Sequence, residues 1–217
     1  MLTSIFVAPL PGSPFSASVH TEWTKYFADG STQVLRNHRL IARDGLGRVF
    51  QERRTFIPDG GRGEPQVTRT ELAELSTHTI AYCSPRTAIC ELRFYNAPAS
   101  VALPAAGASP DGKTSLVRDN LGNRTLDGLE LIGTRETQTV AAAVTGTNRP
   151  MVVVKEFWYS PRLGINVLTD RTDPRSGKEV FTVTDIRLSE PSSSLFALPA
   201  SFRIVDLRVA PTLPSRP

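Results

Sequence analysis

The sequence predicts a mainly β protein built from an antiparallel sheet, and three observations support this fold class. Apolar and polar residues alternate with period two along most of the 217 residues. Residues that favour tight turns separate the alternating segments. No long segment has the 3.6-residue apolar period of an amphipathic helix.

The first third of the chain predicts a three-stranded meander. Residues 15–27, FSASVHTEWTKYF, alternate most clearly. One face of this segment is expected to carry Phe15, Ala17, Val19, Thr21, Trp23 and Phe27. Turns at 28–31 and 44–47, the second with two glycines, lead into predicted strands at 32–43 and 48–57.

The rest of the chain predicts further strands and one helical turn. Residues 66–74 are ambiguous between a strand and a short helix. Predicted strands follow at 77–83, 90–95, 128–140, 150–160, 164–171, 178–188 and 202–208, with a helical turn at 191–196. We expect an N-terminal extension at 1–14, a single β domain at 15–208 with a flexible loop at about 96–114, and a loose Pro-rich tail at 209–217.

The two cysteines, Cys83 and Cys90 in YCSPRTAIC, flank a predicted turn. Across a hairpin such a pair can approach within the ~5.5–6 Å Cα separation of a disulfide. Two free thiols are an alternative, and the spacing is poor for zinc because no further Cys or His lies nearby. A disulfide is the favoured reading, and it implies an oxidising compartment.

Composition and motifs argue against several functions. The 25 basic and 21 acidic residues are interleaved, so we expect no nucleic-acid partner. No apolar run reaches the ~20 residues of a spanning helix, and no cofactor or metal motif is present. His20 and Glu22 could form an acid–base pair on one strand face, but a solvated surface pair is the favoured interpretation. We therefore predict no catalytic residues, no metal and no cofactor.

The beginning of the sequence bears on localisation. MLTSIFVAPLPGSPF lacks the charged and apolar regions of a signal peptide. Either the start has been trimmed or the chain stays in the cytoplasm. The cysteine pair favours the first alternative, so we expect a periplasmic or secreted protein.

Three adjacent aromatic residues stand out in EFWYSPRLGI, residues 156–165. Period-two geometry places Phe157 and Tyr159 on one face of a strand and Trp158 on the other. They therefore cannot form one stacking platform. Both faces of this strand are substantially apolar, so a helix, a loop, a partner or a lipid-like ligand is expected to cover the second face.

Two C-terminal stretches, FWYSPRLGINVL and KEVFTVTDIRLSEPSSSLFALPASFRIV, resemble the LolA/LppX-like superfamily of periplasmic lipoprotein carriers and their relatives. The shared pattern is an aromatic strand end, a Pro/Gly turn, a return strand and a Pro-x-x-x-x-Phe-x-x-Pro ending. FVAPLPGSPFSASVHTEWT, ARDGLGRVFQERR, KEFWYSPRLGI and DPRSGKEVFTVT resemble, more closely still, a family of secreted bacterial proteins of unassigned function. The resemblance implies a strongly curved antiparallel sheet, a half-barrel with few short helices, whose concave side holds apolar material.

This resemblance predicts a non-enzymatic binding protein that holds a lipid or another apolar ligand in a concave cradle. Aromatic bulk and strand position suggest Trp23, Phe27, Phe157 and Tyr159 as ligand contacts, although each could equally be core. One alternative is a cell-envelope module that binds a protein partner or acts as a sensor. Another is a hydrolase whose site is not visible in the sequence.

Overall fold

The computed structural model describes residues 5–95 and 105–208. Within them, fourteen strands belong to one sheet. The strands are β1 (Phe15–Tyr26), β2 (Thr32–Arg43), β3 (Val49–Arg54), β4 (Ile57–Pro58), β5 (Val67–Glu74), β6 (Thr79–Ser84), β7 (Ile89–Phe94), β8 (Gly107–Ala108), β9 (Thr114–Leu126), β10 (Leu129–Val140), β11 (Met151–Ser160), β12 (Ile165–Asp173), β13 (Gly177–Arg187) and β14 (Arg203–Asp206). Helix α1 (Ala142–Thr145) and a 3-10 helix (Ser193–Phe196) are both short.

The sheet is open, because its strand order runs β14-β7-β6-β5-β3-β2-β1-β13-β12-β11-β10-β9-β8, with β4 paired to β2 beside this path. Neighbouring strands are antiparallel except β14, which runs parallel to β7. The first and last thirds of the chain meet where β1 pairs with β13. The predicted fold class, a curved antiparallel sheet with few short helices, is confirmed.

Two segments differ from the sequence expectations. The ambiguous residues 66–74 contain a strand, β5, and the 13-residue strand β9 was not predicted. Most side chains of β9 are exposed or half-buried, so its sequence lacks the apolar alternation that marks a half-buried strand. The loop predicted at about 96–114 includes the short strand β8. Residues 96–104 of this loop and the predicted tail at 209–217 lie outside the described residues.

The main core lies on one face of the sheet, which we call the inner face. It is the face that carries Phe15, Ala17 and Val19 of β1. The N-terminal residues Ile5 and Val7 pack into the same cluster, as does Leu163 from the β11–β12 turn. The N-terminal segment therefore covers part of the inner face.

A smaller core lies around the cysteines. Cys83 and Cys90 are directly opposite each other in β6 and β7 and form a disulfide, with Cα atoms 4.0 Å apart. Leu198 and Phe202, which follow the 3-10 helix, pack against them. The disulfide predicted from the spacing is present and also supports the docking of the C-terminal segment.

Arg43, at the end of β2, is fully buried and connects three parts of the chain. Its guanidinium donates hydrogen bonds to the backbone carbonyls of Ser13 at 2.9 Å, Ala8 at 3.0 Å and Leu163 at 2.9 Å. It also lies over the Phe15 ring. One side chain thus satisfies carbonyls of the N-terminal segment and of the β11–β12 turn.

Candidate ligand site on the inner face

The inner face can be followed from strand to strand, because directly paired residues point to the same side of a sheet. One row of pairs begins at Asn37 and runs through Thr21, Phe181 and Thr169 to Phe157. Thr21 and Thr169 are buried, and Phe181 belongs to the main core. This row marks the boundary of the apolar core.

The next row is mostly charged. It runs from Trp23 through Glu179, Arg171 and Lys155 to Glu136. Arg171 and Glu136 are buried, at 9% and 8% exposure. The inner face therefore carries a row of charged side chains beside its apolar core, whereas the family resemblance implied apolar material on the concave side of the sheet.

A cavity of about 310 Å³ opens on the inner face beside these two rows. Its lining comprises Thr21, Trp23, Asn37, Arg39, Arg53, Arg54, Phe56, Glu179 and Phe181. The Trp23 and Phe56 rings meet edge to face, with centroids 6.1 Å apart. The cavity thus combines an aromatic flank with several polar groups, which is typical of small-molecule sites.

Arg39 contributes a buried positive charge to this cavity. It is 4% exposed and donates hydrogen bonds to the Gln51 side chain at 3.2 Å and to the Ile5 carbonyl at 3.0 Å. Burial, followed by the nearby charge of Arg53, lowers the pKa of Arg39 to about 10. Among the described residues no carboxylate lies within ion-pair distance of Arg39.

Glu71 holds the next two arginines in place. Its carboxylate accepts hydrogen bonds from Arg53, Arg69 and Gln51, and it is 5% exposed. Burial raises the pKa of Glu71, but the hydrogen bonds and charges of the two arginines outweigh burial, so the net shift is downward. Glu71 is therefore ionised at neutral pH and fixes the Arg53 side chain at the cavity wall.

Three buried polar atoms near the cavity have no hydrogen-bond partner: Asn37 Oδ1, Glu179 Oε2 and Arg171 Nε. Asn37 is 9% exposed, and its Nδ2 donates to the Arg54 carbonyl at 3.3 Å, which orients Oδ1 as the unpaired atom. Glu179 Oε2 lies 3.5 Å from an Arg171 nitrogen, a charge contact without a hydrogen bond. Unpaired buried polar atoms are rare, because each costs about 1–3 kcal/mol.

The four residues suggested from sequence are not gathered in one place. Trp23 lines the cavity, and its Nε1 donates to the Ser176 carbonyl at 2.9 Å. Phe157 lies in the adjacent row of the inner face, outside the cavity lining. Phe27 lies beyond the end of β1 at 48% exposure, and Tyr159 is 42% exposed near the end of β11.

Trp158 has a structural role. It pairs with Gly133 and Leu168 and packs against the main core. The Arg124 guanidinium lies 3.9 Å from the centre of its ring. A Cβ atom on Gly133 would lie 2.7 Å from the Trp158 ring, so glycine leaves the space that the indole fills.

The residues considered for catalysis do not form a working pair. His20 is exposed, and the Glu22 carboxylate accepts a hydrogen bond from Arg36 at 3.0 Å. Within residues 5–95 and 105–208, no group of three His, Cys, Asp or Glu side chains could hold a metal ion. In the same ranges, no helix has both the length and the apolar composition that crossing a membrane requires.

Sequence reasoning missed most of the cavity. The sequence pattern does not single out Asn37, Arg39 or Glu179, because alternation alone assigns polar residues to the solvent side of a strand. One signal was available: Asn37, Arg39, Ile41 and Arg43 share one face of β2, so polar and apolar residues are mixed on that face.

The known proteins that match this chain are solved structures. No protein-family model matches the chain, and no curated protein matches it. A LolA superfamily protein from Nitrosomonas europaea shares 12% identity over 88% of this chain and 92% of that chain, with a TM-score of 0.32. The lipoprotein LppX from Mycobacterium tuberculosis shares 8% identity over 81% of this chain and 88% of that chain, with a TM-score of 0.29. The chain resembles the LolA/LppX-like proteins.

A further match is the MucA/MucB complex of Pseudomonas aeruginosa, with 12% identity and a TM-score of 0.42. It covers 89% of this chain, which spans 58% of the matched one. At these identities the LolA/LppX-like resemblance concerns the fold alone, and no statement about function rests on it.

Proposed function

We propose that this protein is a non-enzymatic binding protein that holds a lipid or another ligand with an apolar part against the inner face of its curved sheet. The observation that carries this proposal is the cavity of about 310 Å³ where the apolar core ends, with Trp23, Phe56 and Phe181 on its flank. Transferring an apolar group from water into this cavity stabilises the complex by ~0.8 kcal/mol for each buried CH₂.

The charged row beside the cavity favours an amphiphilic ligand over a wholly apolar one. Glu179, Arg171 and Lys155 follow Trp23 directly across the sheet. Covering these groups with hydrocarbon alone would remove their solvation without compensation. An apolar part beside the aromatic flank and a polar part beside the charged row match both surfaces.

Among the four residues suggested from sequence, Trp23 is the proposed principal contact. Phe157 would extend the apolar surface along the adjacent row. Phe27 and Tyr159, which are more exposed, are proposed as rim contacts for a longer ligand.

We also propose a periplasmic or secreted location. The buried disulfide between Cys83 and Cys90 supports it, because such bonds persist in oxidising compartments and are rare in the cytosol.

Two measurements test the proposal: native mass spectrometry of gently purified protein, and thermal unfolding in dodecanoate or dodecyl maltoside below their micellar concentrations. We expect the first to show a bound amphiphile or the second to show a raised Tm, and we expect the Tm of Phe56→Ala to rise less than that of the wild type. Phe94→Ala is the matched control, since Phe94 is also exposed but does not line the cavity. A ligand-free protein whose Tm neither amphiphile raises would refute the proposal.

A second candidate function, binding of an envelope protein, is favoured by a different surface. A cavity of about 630 Å³ lies where β10 ends and β11 begins, and it is bordered by Val140, Val144, Met151 and Val152. Val144 and Val152 are 47% and 41% exposed, and exposed apolar patches often mark interaction sites. Pulldown from envelope extract with the wild type and Val152→Glu tests this function, and equal capture of partners by both proteins would count against it.

A further inference from the structure

We infer that the cavity at Asn37, Arg39 and Glu179 recognises a hydroxyl-rich group, a saccharide-like ring, as the polar part of the ligand. This inference deepens the proposed function and rests on the same site. The starting point is the kind of polar atom that the cavity leaves without a partner.

Two of the atoms without a hydrogen-bond partner are acceptors that belong to lining residues of the cavity, and both atoms are buried in the free protein. Asn37 Oδ1 and Glu179 Oε2 lack hydrogen-bond partners, and both residues line the cavity. A ligand that satisfies them must donate hydrogen bonds. A deprotonated carboxylate only accepts, whereas each hydroxyl donates one hydrogen bond and can accept others.

The neighbouring arginines provide the complementary donors. Arg39 uses Nη1 for the Gln51 side chain and Nη2 for the Ile5 carbonyl, so two of its five N–H groups are engaged. Arg53 is held through Nε and Nη2 by Glu71. Donors and acceptors thus lie side by side, and vicinal hydroxyls offer that same combination.

The buried charge of Arg39 disfavours a cationic ligand. Arg53 and Arg54 are paired with Glu71 and Glu52, whereas no carboxylate among the described residues lies within ion-pair distance of Arg39. An ammonium group could satisfy the two acceptors, but the Arg39 guanidinium would repel it in a partly desolvated site. A neutral donor, the hydroxyl, avoids this repulsion.

The aromatic flank and the volume agree with a ring of this kind. Trp23 and Phe56 form an edge-to-face pair beside the polar wall. A saccharide ring has hydroxyls around its edge and C–H groups on its faces, so it can meet both surfaces at once. The volume of about 310 Å³ lies at the lower end of the range for small-ligand sites, which suits one ring.

Titration calorimetry of the full chain with named probes tests the inference. The free sugars are maltose, cellobiose, galactose, mannose and N-acetylglucosamine, and the amphiphiles are dodecyl maltoside and dodecanoate below their micellar concentrations. We expect at least one hydroxyl-bearing probe to bind with a Kd in the millimolar range or lower. Binding of a free sugar would identify a soluble saccharide as sufficient, whereas binding of dodecyl maltoside alone would identify a glycolipid-like headgroup.

The decisive variant is Asn37→Leu, which removes the acceptor at similar side-chain size. We expect it to raise the Kd of the hydroxyl-bearing probe that binds the wild type about fivefold or more. Its urea midpoint should fall only modestly, because Oδ1 makes no bond in the free protein and the variant loses only the 3.3 Å hydrogen bond from Nδ2 to the Arg54 carbonyl. Gln33→Leu, at an exposed position of the same strand, is the matched control and should leave binding unchanged.

The outcomes separate this inference from the proposed function. Binding of dodecanoate without any hydroxyl-bearing probe would overturn the inference and leave the proposed function standing. Equal affinity of Asn37→Leu and the wild type for a hydroxyl-bearing probe would also overturn it. The absence of binding by every probe would contradict both.

Discussion

Replacing Arg43 with methionine is expected to lower the free energy of unfolding by about 3–5 kcal/mol. The side chain is fully buried, and its guanidinium is the hydrogen-bond donor for the carbonyls of Ser13, Ala8 and Leu163. Methionine fills similar space and donates nothing. The substitution therefore leaves three carbonyl groups without this donor in the interior.

The magnitude follows from these three contacts. Each buried carbonyl left unpaired costs about 1–3 kcal/mol, which gives about 3–9 kcal/mol before compensation. Removing a buried charge returns part of this cost. Burial lowers the pKa of Arg43, which is a sign that the charged form is held against a desolvation penalty. A net loss in the lower half of the range is the expected result.

Urea unfolding followed by circular dichroism measures this effect. Arg43→Lys should be intermediate, because a compact ammonium cannot reach three separate carbonyls as the planar guanidinium does. Arg36→Met is the control on the same strand. Its side chain is 52% exposed and pairs with Glu22 and Asp59, so a loss below about 1 kcal/mol is expected.

A free energy of unfolding for Arg43→Met within about 1 kcal/mol of the wild type would refute this reasoning. That result would mean that water satisfies the three carbonyls or that the buried charge offsets the hydrogen bonds.

The remaining predictions concern the disulfide, one glycine and one buried carboxylate. The double change Cys83→Ala and Cys90→Ala should lower the free energy of unfolding in urea by about 2.4 kcal/mol, from the chain entropy of a loop with sequence separation 7. Gly177→Ala should cost more than about 3 kcal/mol in the same assay or prevent folding, because φ is +97° and a Cβ would collide with the Thr24 carbonyl. Because the pKa of Glu71 is lowered in the folded protein, Glu71 contributes stability above pH about 4.5 that is lost as the pH falls through its folded-state pKa. The urea midpoint should therefore fall more steeply with decreasing pH in the wild type than in Glu71→Gln.

Each of these predictions has a control and a contrary result. Reductant should lower the urea midpoint of the wild type and leave that of the cysteine-free variant unchanged. Equal midpoints of the oxidised and the reduced wild type would contradict the disulfide estimate. Gly128→Ala keeps the strain of φ +75° without a steric neighbour, so it should cost only about 1 kcal/mol, and a cost equal to that of Gly177→Ala would argue against the collision. Glu91→Gln should leave the acid dependence close to that of the wild type, since Glu91 is 43% exposed; parallel acid curves for Glu71→Gln and the wild type would contradict the role of Glu71.

The sequence predicted those strands in which alternation and burial agree. β1, β2 and the hairpin around Cys83 and Cys90 follow the predicted segments closely, because one of their faces is apolar and buried. β9 does not, since its side chains are exposed or half-buried, and its place in the sheet comes from pairing with β10. Local pattern contains no information about such a pairing partner.

For the candidate site, the sequence could indicate Trp23 by its bulk and its place on an apolar face. It could not indicate Asn37 and Glu179, which are 142 positions apart in the chain and meet because β1 pairs with both β2 and β13. The sequence by itself determined the β class, the disulfide and the turns, since these depend on neighbours along the chain. Only the tertiary structure decided which polar side chains turn inward, because burial depends on strands that the fold brings together from its two ends.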